Sequence, residues 1–470
     1  MKILYYNWIQ FDNKDNIGGG VNIYQRNLID YLVNNTDYEI YFLSSGWKYN
    51  PFKTQPYIKP TDNIFKEKCK SFEIINSSIM APAFAIYMNP ERFITDCESV
   101  DIFDEFIQKY GKFDVIHFNN IEGISVNILK LKEKYPDTKF IVSLHNYQPI
   151  CPLVQYFQNH NECICNDFNN GKECLQCSYW KPNKKEYAKR SKNFIYDFLS
   201  KHNLKFLKPF GKIYTKIFQY RSKSYIGSKS TMIPEKYVQY RNHNVEYLNK
   251  YADYVLAVSD RVREIMIRNG CRPEILKTSY IGTKFAEYEI GYSVAQKTNP
   301  FTIAYLGYER IDKGFFFFIN ALSQLDKNIA SKINVVLGVA DLHNKNIEKL
   351  KKFNKVIVHK GYTHQELPQI LKDVNLGVVP VLWEDNLPQV AIEMVACGVP
   401  ILCSDFGGAS ELCSSELFKF KGGNEKDFTD KLQNLVNHPE FLNEYWKHHK
   451  PLMTMENHIK ELDKYYGSYK

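Results

Sequence analysis

Two carboxylates eight residues apart are well placed in this sequence to hold a hydroxyl-rich ligand. Asp385 and Glu393 flank the apolar stretch Leu387–Ile392. Eight residues span about two turns of an α-helix, so both carboxylates can face the same side near a helix start. Carboxylates placed in this way can accept hydrogen bonds from a sugar or a ribose. The alternative is a capped helix whose acids are solvated.

A short basic loop follows an apolar strand in the stretch GYERIDKG, residues 307–314. Its cations, Arg310 and Lys313, lie where the strand gives way to a predicted helix. Cations at such a junction can stabilise the negative charge that develops on a leaving diphosphate. An exposed basic loop without a ligand is the alternative interpretation.

A run of three glycines, Gly18 to Gly20, opens the predicted helix Val21–Leu32. Glycine permits positive φ and lets a ligand approach the backbone closely. The free N–H groups and partial positive charge of a helix N-terminus are suited to phosphate. The spacing is not the GxGxxG dinucleotide fingerprint, and a flexible turn is the alternative.

Five of the eleven cysteines fall within one short stretch. They are Cys151, Cys163, Cys165, Cys174 and Cys177. The last four, in a CxC and a CxxC pattern, could hold a structural zinc ion through thiolates at about 2.3 Å, with Cys151 as a substitute for one of them. Free thiols and a disulfide are the alternatives, and the odd cysteine count without an evident secretion signal favours reduced thiols. Such a zinc site would stiffen a loop.

Positive charge is concentrated in the segment Lys181–Lys250. This segment contains 17 Lys and Arg against 4 Asp and Glu, whereas the whole chain carries +9, so the remainder is net negative. Aromatic residues at helical spacing alternate with lysines here: Phe206, Phe210 and Tyr214 beside Lys205, Lys208, Lys212 and Lys216. The pattern is typical of binding to an anionic membrane surface or a lipid-linked anion. A solvated helical insertion and a nucleic-acid site are the alternatives.

The elements that would position these residues alternate between strand and helix. Predicted strands include Lys2–Trp8, Val115–Phe118, Lys139–Leu144, Asp253–Val258 and Thr302–Leu306, and predicted helices include Asp260–Arg268, Gln389–Ala396 and Thr454–Tyr466. This alternation predicts an α/β fold with two doubly wound parallel sheets that face a cleft. Ligands of such sheets bind beyond the carboxyl ends of the strands.

We expect a first domain at 1–295, with a cysteine-rich and basic insertion at about 151–250, and a second domain at 296–450 after a linker at Gly291–Pro300. A composition of 44% hydrophobic residues excludes whole-chain disorder. No apolar run approaches the roughly 20 residues that a membrane helix needs. The N-terminus reads as a strand and not as a signal peptide. These features predict a cytoplasmic enzyme.

Together these motifs resemble the family-4 retaining glycosyltransferases of the GT-B type, which build bacterial capsule, O-antigen and exopolysaccharide chains. The resemblance covers nearly the whole chain and is strongest over Thr302–Gly423. The matching stretches are GGGVNIYQRNLIDYL, FDVIHFNN, FIVSLHNYQPICP, ADYVLAVSDRVREIM, YIGT, LGYERIDKG, LGVVPVLWEDNLPQVAIEMVACGVPIL and DFGGASEL. The resemblance implies two Rossmann-like domains facing a cleft, with a C-terminal helix (451–470) that crosses back onto the first domain.

The resemblance also implies roles in binding a UDP- or GDP-sugar. Glu393 would hold the ribose hydroxyls as the second acid of the family's E-x7-E motif. Asp385 stands where the family has the first Glu, near the transferred sugar, and is one methylene shorter; the neighbouring Glu384 is a possible substitute. Lys313 matches the diphosphate-binding lysine. The backbone N–H groups of Gly19 and Gly20 would meet the same diphosphate.

Other donor-binding positions depart further from the family. The usual arginine position after the strand-end glycine holds Tyr308, so Arg310, two residues on, is the expected substitute. Gly361 and Tyr362 match a loop near the base. Leu387, between the two acids, completes the expected donor set.

Two histidines, His117 and His145, match family histidines at strand ends that face the cleft. The second histidine of the common H-x-H pattern is Asn119 in this chain. Contact with the sugar and a purely structural role are both open for each histidine.

The activity implied by the resemblance is transfer of a hexose-type sugar, with retention of configuration and without a catalytic metal. The acceptor would be a glycan, carried on a polyprenyl diphosphate, at the inner membrane surface. The expected partners are therefore the donor, this acceptor and anionic inner-leaflet lipids, and no nucleic acid. The departures at Arg310 and Asp385 leave a non-catalytic nucleotide- or glycan-binding homologue as the alternative.

Overall fold

The strands of the first half form one sheet in the computed structural model, which describes residues 1–13, 17–82, 87–166, 170–177, 186–210, 213, 232–284, 300–340 and 342–467. The strands of this sheet are β1 (Lys2–Asn7), β2 (Glu39–Ser45), β3 (Tyr57–Thr61), β4 (Cys69–Ile75), β5 (Val115–Phe118), β6 (Lys139–Leu144), β9 (Tyr254–Ala257) and β10 (Leu276–Thr278). Two short strands between β6 and β9, β7 (Phe157–Gln158) and β8 (Cys163–Ile164), form a separate hairpin. The order across the sheet is β10-β9-β6-β5-β1-β2-β4-β3. Neighbours pair in parallel except β3, which runs antiparallel to β4 at the edge.

The strands of the second half form a separate sheet. They are β11 (Phe301–Gly307), β12 (Ile333–Val339), β13 (Lys355–His359), β14 (Leu376–Val379), β15 (Ile401–Ser404) and β16 (Lys419–Phe420). Their order is β13-β12-β11-β14-β15-β16, and each pairing is parallel. Strands of a parallel sheet are covered on both faces, which explains why the middle of β1 (Ile3–Tyr6) and of β11 (Ile303–Leu306) is continuously apolar and not alternating. The two sheets confirm the predicted doubly wound α/β architecture.

Helices cover both sheets. They are α1 (Gly19–Asn35), α2 (Pro90–Thr95), α3 (Glu98–Tyr110), α4 (Glu186–Lys201), α5 (Pro234–Tyr251), α6 (Asp260–Arg268), α7 (Phe315–Gln324), α8 (Lys327–Ala330), α9 (Asn344–Glu348), α10 (Leu367–Leu371), α11 (Gln389–Ala396), α12 (Glu425–Asn437), α13 (Leu442–His448) and α14 (Met455–Tyr466). Helices α1, α7 and α11 begin beyond the carboxyl ends of β1, β11 and β14. Their N-termini therefore lie on the ligand-binding edges of the sheets.

The last helix, α14, packs against the first sheet. Its apolar stripe, which includes Met455 and Leu462, is buried, and the hydroxyl oxygens of Tyr5 and Tyr466 lie 3.0 Å apart. The chain thus returns to its first domain after completing the second. The expected domain boundary at residue 295 and the linker before Pro300 fall on residues 285–299, outside the described residues.

Part of the basic segment is described. It contains α4 and a 3₁₀ helix, Lys205–Phe210, and the side chains of Phe198 and Phe206 are exposed by 53% and 70%. Lys212, Tyr214 and Lys216 lie outside the described residues. Within the part of the chain that the structure describes, no helix is long and apolar enough to cross a membrane.

Candidate active site

Lys313 and Asp385 form an ion pair between two loops of the second domain. Lys313 follows β11 and Asp385 follows β14, and these strands are neighbours, so their carboxyl-end loops meet. Lys313 Nζ lies 2.6 Å from Asp385 Oδ2 and 4.9 Å from the centre of the Trp383 ring. Asp385 is nearly buried, whereas Lys313 stays partly exposed. A cation held in this way can meet a phosphate while its carboxylate partner faces the same space.

The backbone of Asp385 is supported by a glycine loop that follows β15. Gly408 N donates to Asp385 O at 2.8 Å, and Gly407 N donates to Glu384 Oε2 at 2.8 Å. Glu384 is also bound by Arg261 on α6, whose Nε lies 2.9 Å from Glu384 Oε2. Glu384 therefore links the two domains, whereas the neighbouring Asp385 pairs with Lys313.

Glu393 lies on the second turn of α11 and is only 1% exposed. Its Oε1 atom is 2.9 Å from Nδ1 of His364. Burial, with the nearby charge of Glu393, raises the pKa of Tyr362. Gly361, at φ +69°, has open space where a side chain would start. The carboxylate and the loop 361–364 thus lie together, with Leu387 buried just before the helix.

The glycine run faces this site from the other domain. Gly18 caps α1 in the left-handed conformation, and Gly19 has φ +58° with no atom within 4 Å of an added Cβ. A Cβ on Gly20 would lie 3.3 Å from Cβ of Gln389, the first residue of α11. The N-termini of α1 and α11 therefore approach each other across the cleft. Two such N-termini favour an anion between them.

His145 borders the same cleft. It follows β6 directly, and Asn386 Nδ2 donates to the carbonyl of Leu144 at 3.4 Å, which brings the Asp385 loop beside it. The ring packs on Tyr24 at 4.9 Å between centres, and its buried Nε2 has no hydrogen-bond partner among the described residues. Burial lowers the pKa of His145, so the ring is neutral near pH 7. A neutral, unpartnered ring nitrogen is available to a sugar hydroxyl.

His117, in contrast, is enclosed in the first domain. It is 0% exposed, with Nδ1 2.7 Å from Tyr466 Oη and Nε2 2.7 Å from Ser143 Oγ. Both ring nitrogens are used internally, and Tyr466 belongs to α14. This geometry fits a packing role that fastens the last helix to the first sheet. We therefore leave His117 out of the proposed catalytic set.

Three buried histidines should make the folded protein sensitive to mild acid. Burial lowers the pKa of His117 and of His145 to about 3 and that of His458, which bonds Tyr24, to about 4, from an ordinary value of 6.5. Below pH 6.5 these histidines become protonated in the unfolded chain but not in the folded chain, so stability falls as pH falls. We expect a loss of about 5–6 kcal/mol in the free energy of unfolding from pH 7 to pH 5. Denaturant unfolding at both pH values measures it.

The matched control for this acid sensitivity is His458→Gln, which removes one of the three groups. The pH-dependent loss should then shrink by about a third. Equal stability of the wild-type protein at pH 7 and pH 5 would contradict the expectation.

Arg310 does not lie against Asp385 as Lys313 does. Its guanidinium donates from Nε and Nη2 to the two carboxylate oxygens of Asp312, at 2.9 and 2.8 Å. Asp312 also accepts from Gln155 Nε2 of the first domain at 3.1 Å. The expected substitute for the family arginine is thus engaged in a bridge between the domains.

The predicted zinc site is not formed. Cys163 lies on β8 with its side chain exposed, whereas Cys174 is buried. A cavity of about 20 Å³ is bordered instead by Cys151, Cys165, Cys174 and Cys177. Across the described ranges, no group of three or more His, Cys, Asp or Glu side chains is placed to hold a metal ion. The CxC half failed as a pair because Cys163 is exposed on β8, whereas Cys165 borders the cavity with the CxxC cysteines.

Three residues of the site were not identified from the sequence. They are Arg261, His364 and His458, and each acts through a partner distant in the chain. Arg261 and His364 lie inside or beside quoted motifs, but no pattern indicates which carboxylate each one meets. His458 lies three residues after Met455 and four before Leu462, so helical spacing places it on the buried side of α14, a signal that could have suggested its burial.

Known proteins resemble parts of this sequence. Residues 292–450 match the family model described as Glycosyl transferases group 1. An uncharacterized glycosyltransferase of Methanocaldococcus jannaschii is 25% identical over 190 residues, 37% of this chain and 48% of that protein. The chain thus matches about half the length of this curated relative.

Solved structures with the same fold span nearly the whole chain. Anabaena HepE in complex with UDP and glucose has a TM-score of 0.56 at 13% identity, with 100% of both chains covered. The lipopolysaccharide outer core galactosyltransferase WaaB has a TM-score of 0.57 at 13% identity, with 100% and 99% covered. The sucrose-phosphate synthase of Thermosynechococcus elongatus has a TM-score of 0.59 at 14% identity, with 99% and 98% covered. Similarity at this identity concerns the fold, and it confirms the GT-B architecture.

Proposed function

We propose that this chain is a retaining glycosyltransferase that moves a hexose-type sugar from a nucleotide diphosphate donor to a glycan acceptor. The observation that carries the proposal is the cleft arrangement of Lys313, Asp385 and buried Glu393 opposite the open backbone of Gly19. This set has a cation and two helix N-termini for a diphosphate and a buried carboxylate for ribose hydroxyls.

The charges suggest how the transfer proceeds. The diphosphate lies between Lys313 and the N-terminus of α1, and both stabilise its charge as the bond to the sugar breaks. Asp385 and His145 flank the transferred sugar. The acceptor hydroxyl attacks from the face that the diphosphate leaves and passes its proton to the departing diphosphate oxygen, so the configuration is retained. The steps assigned to these residues do not use a metal ion.

Nucleotide binding is the first test. HepE, a structural neighbour, was solved with UDP and with UDP-glucose, which supports UDP ahead of GDP as the first probe. Calorimetry with UDP, GDP, ADP and CMP, without added metal, should show one binder, weakened about 10- to 100-fold by Glu393→Gln because hydrogen bonds to a charged group are lost. The control is Glu416→Gln, an exposed glutamate of the same domain. If none of the four nucleotides bound, the proposal would be contradicted.

We further propose that the acceptor is lipid-linked and that the basic segment holds the enzyme at the inner membrane surface for surface-polysaccharide synthesis. Exposed Phe198 and Phe206 lie close in sequence to Lys205 and Lys208. Aromatic rings and lysines together suit the interface of an anionic bilayer. Association through charge and shallow insertion would make this a peripheral membrane protein.

Vesicle co-sedimentation tests the membrane proposal. Binding to vesicles with anionic phospholipid should fall at least about 10-fold when Lys205 and Lys208 become Glu, since each basic residue near the surface contributes about 1 kcal/mol. The matched control replaces two lysines on α12, Lys426 and Lys431, by Glu. Undiminished binding of the first variant would refute the role of this segment.

The second candidate is a non-catalytic nucleotide-binding homologue, favoured by the engagement of Arg310 with Asp312. It predicts nucleotide binding without turnover of any nucleotide sugar, whereas the proposed enzyme hydrolyses or transfers from at least one.

A further inference from the structure

His364 stands beside the carboxylate that we assign to the ribose. Its Nδ1 lies 2.9 Å from Glu393 Oε1, and its side chain is 43% exposed whereas that of Glu393 is 1% exposed. The contact raises the pKa of His364, as expected for an imidazole beside a carboxylate. A residue that reaches from the open side of the cleft to a buried charge borders whatever binds that charge.

The Glu393 carboxylate has unused hydrogen-bonding capacity. Its Oε1 atom lies 2.9 Å from His364 Nδ1, and no other hydrogen-bond donor among the described residues reaches it. A buried carboxylate offers about four acceptor positions and is costly to leave without donors. Donors from a ligand are therefore favoured at this position, and a vicinal pair of hydroxyls supplies two.

The backbone that carries His364 is fixed by local structure. The residue follows Thr363, whose N and Oγ1 donate to Glu366 Oε2 at 2.7 and 2.8 Å in a capping box. The box begins two residues after Gly361, which has positive φ and turns the chain after β13. The backbone of His364 is thus ordered at the first turn of a helix before any ligand arrives, which lowers the entropy lost on binding.

We propose that His364 is a positioning residue for the ribose of the donor: it holds the Glu393 carboxylate in the orientation that accepts the 2′- and 3′-hydroxyls. This rests on the proposed donor site. His364 thereby sets discrimination between ribonucleotides and deoxyribonucleotides without touching the reacting atoms. The competing explanation is that His364 only neutralises a buried charge, which would affect stability and leave discrimination unchanged.

Discrimination separates the two explanations. The nucleoside diphosphate that binds the wild-type protein, UDP being tried first, is compared with its 2′-deoxy and 3′-deoxy analogues by calorimetry. The wild-type protein should prefer the ribonucleotide by about 10- to 100-fold, since the analogues leave a buried carboxylate without a donor. His364→Ala should reduce this preference to about 3-fold or less. His364→Asn, which keeps a nitrogen donor near the position of Nδ1, should restore a large part of it.

His343→Ala is the matched control, because His343 Nδ1 makes the same kind of contact with Glu309 Oε1, at 2.8 Å. The His343→Ala variant should prefer the ribonucleotide over its deoxy analogues as strongly as the wild-type protein does. Full preference in folded His364→Ala would overturn the inference while leaving the donor site intact. If His364→Ala does not fold, the test uses His364→Asn and His364→Gln instead. Complete loss of the preference for the ribonucleotide in both variants would also overturn the inference. Absence of nucleotide binding by the wild-type protein would instead overturn the proposed function, and this inference with it.

Discussion

Replacing Lys313 by methionine should lower the rate of sugar transfer by about 10²- to 10³-fold, the typical effect of removing one group that stabilises developing charge in an active site. The substitution keeps most of the side-chain volume beside Trp383 and removes only the cation 2.6 Å from Asp385 Oδ2. In the proposed donor complex, loss of the cation would leave the diphosphate without its nearest side-chain counter-charge and close to an unpaired carboxylate. Initial rates with a saturating nucleotide sugar measure the effect.

The matched control is Arg310→Met in the same loop. Its guanidinium is already engaged by Asp312, so the transfer rate should fall by less than about 10-fold, through the lost bridge to Gln155 alone. Equal losses from the two substitutions would contradict the distinction that the structure makes between these cations.

Replacing Gly407 by alanine should destabilise the second domain by about 3–5 kcal/mol and abolish transfer. Gly407 has φ +68° and ψ −174°, a conformation that costs a residue with a side chain about 1–3 kcal/mol. An added Cβ would also lie 2.2 Å from the carbonyl oxygen of Asp385, so the loop that carries this acid must move, at a further cost of about 1–3 kcal/mol. Thermal unfolding and transfer rates together measure both effects.

Gly423→Ala separates backbone strain from collision. Gly423 also has positive φ (+77°), but no atom lies within 4 Å of an added Cβ. The expected loss is therefore about 1 kcal/mol, with transfer retained. Similar behaviour of the two alanine variants would show that the contact with Asp385 has no consequence.

Strand and helix alternation was strong enough to predict the two sheets. Strands buried on both faces read as short, continuous apolar runs, and Val115–Phe118 and Lys139–Leu144 are predicted with the bounds that the structure has. Helix Gln389–Ala396 also has its predicted bounds, since Pro388 precedes it and Gly398 follows it closely. Local signals of this kind depend on residues near in sequence, and for that reason they survive without knowledge of the fold.

The cysteine stretch shows where local signals fail. The CxC and CxxC spacings resemble those of a metal site, but a metal ion needs four thiols directed to one point. Strand β8 exposes Cys163, and Cys151 takes its place at the small cavity. Spacing in the sequence does not determine the directions of side chains that come from different elements.

By itself, the sequence determined the α/β architecture and the candidate groups at the carboxyl ends of the strands, because each depends on local periodicity and on short motifs. Only the tertiary structure decided which of those groups contact one another and which are buried away from the cleft. It pairs Lys313 with Asp385, encloses His117, and places His364 against Glu393. These outcomes depend on contacts between residues far apart in the chain, whose distances and burial follow from how the elements pack and not from any pattern along the sequence.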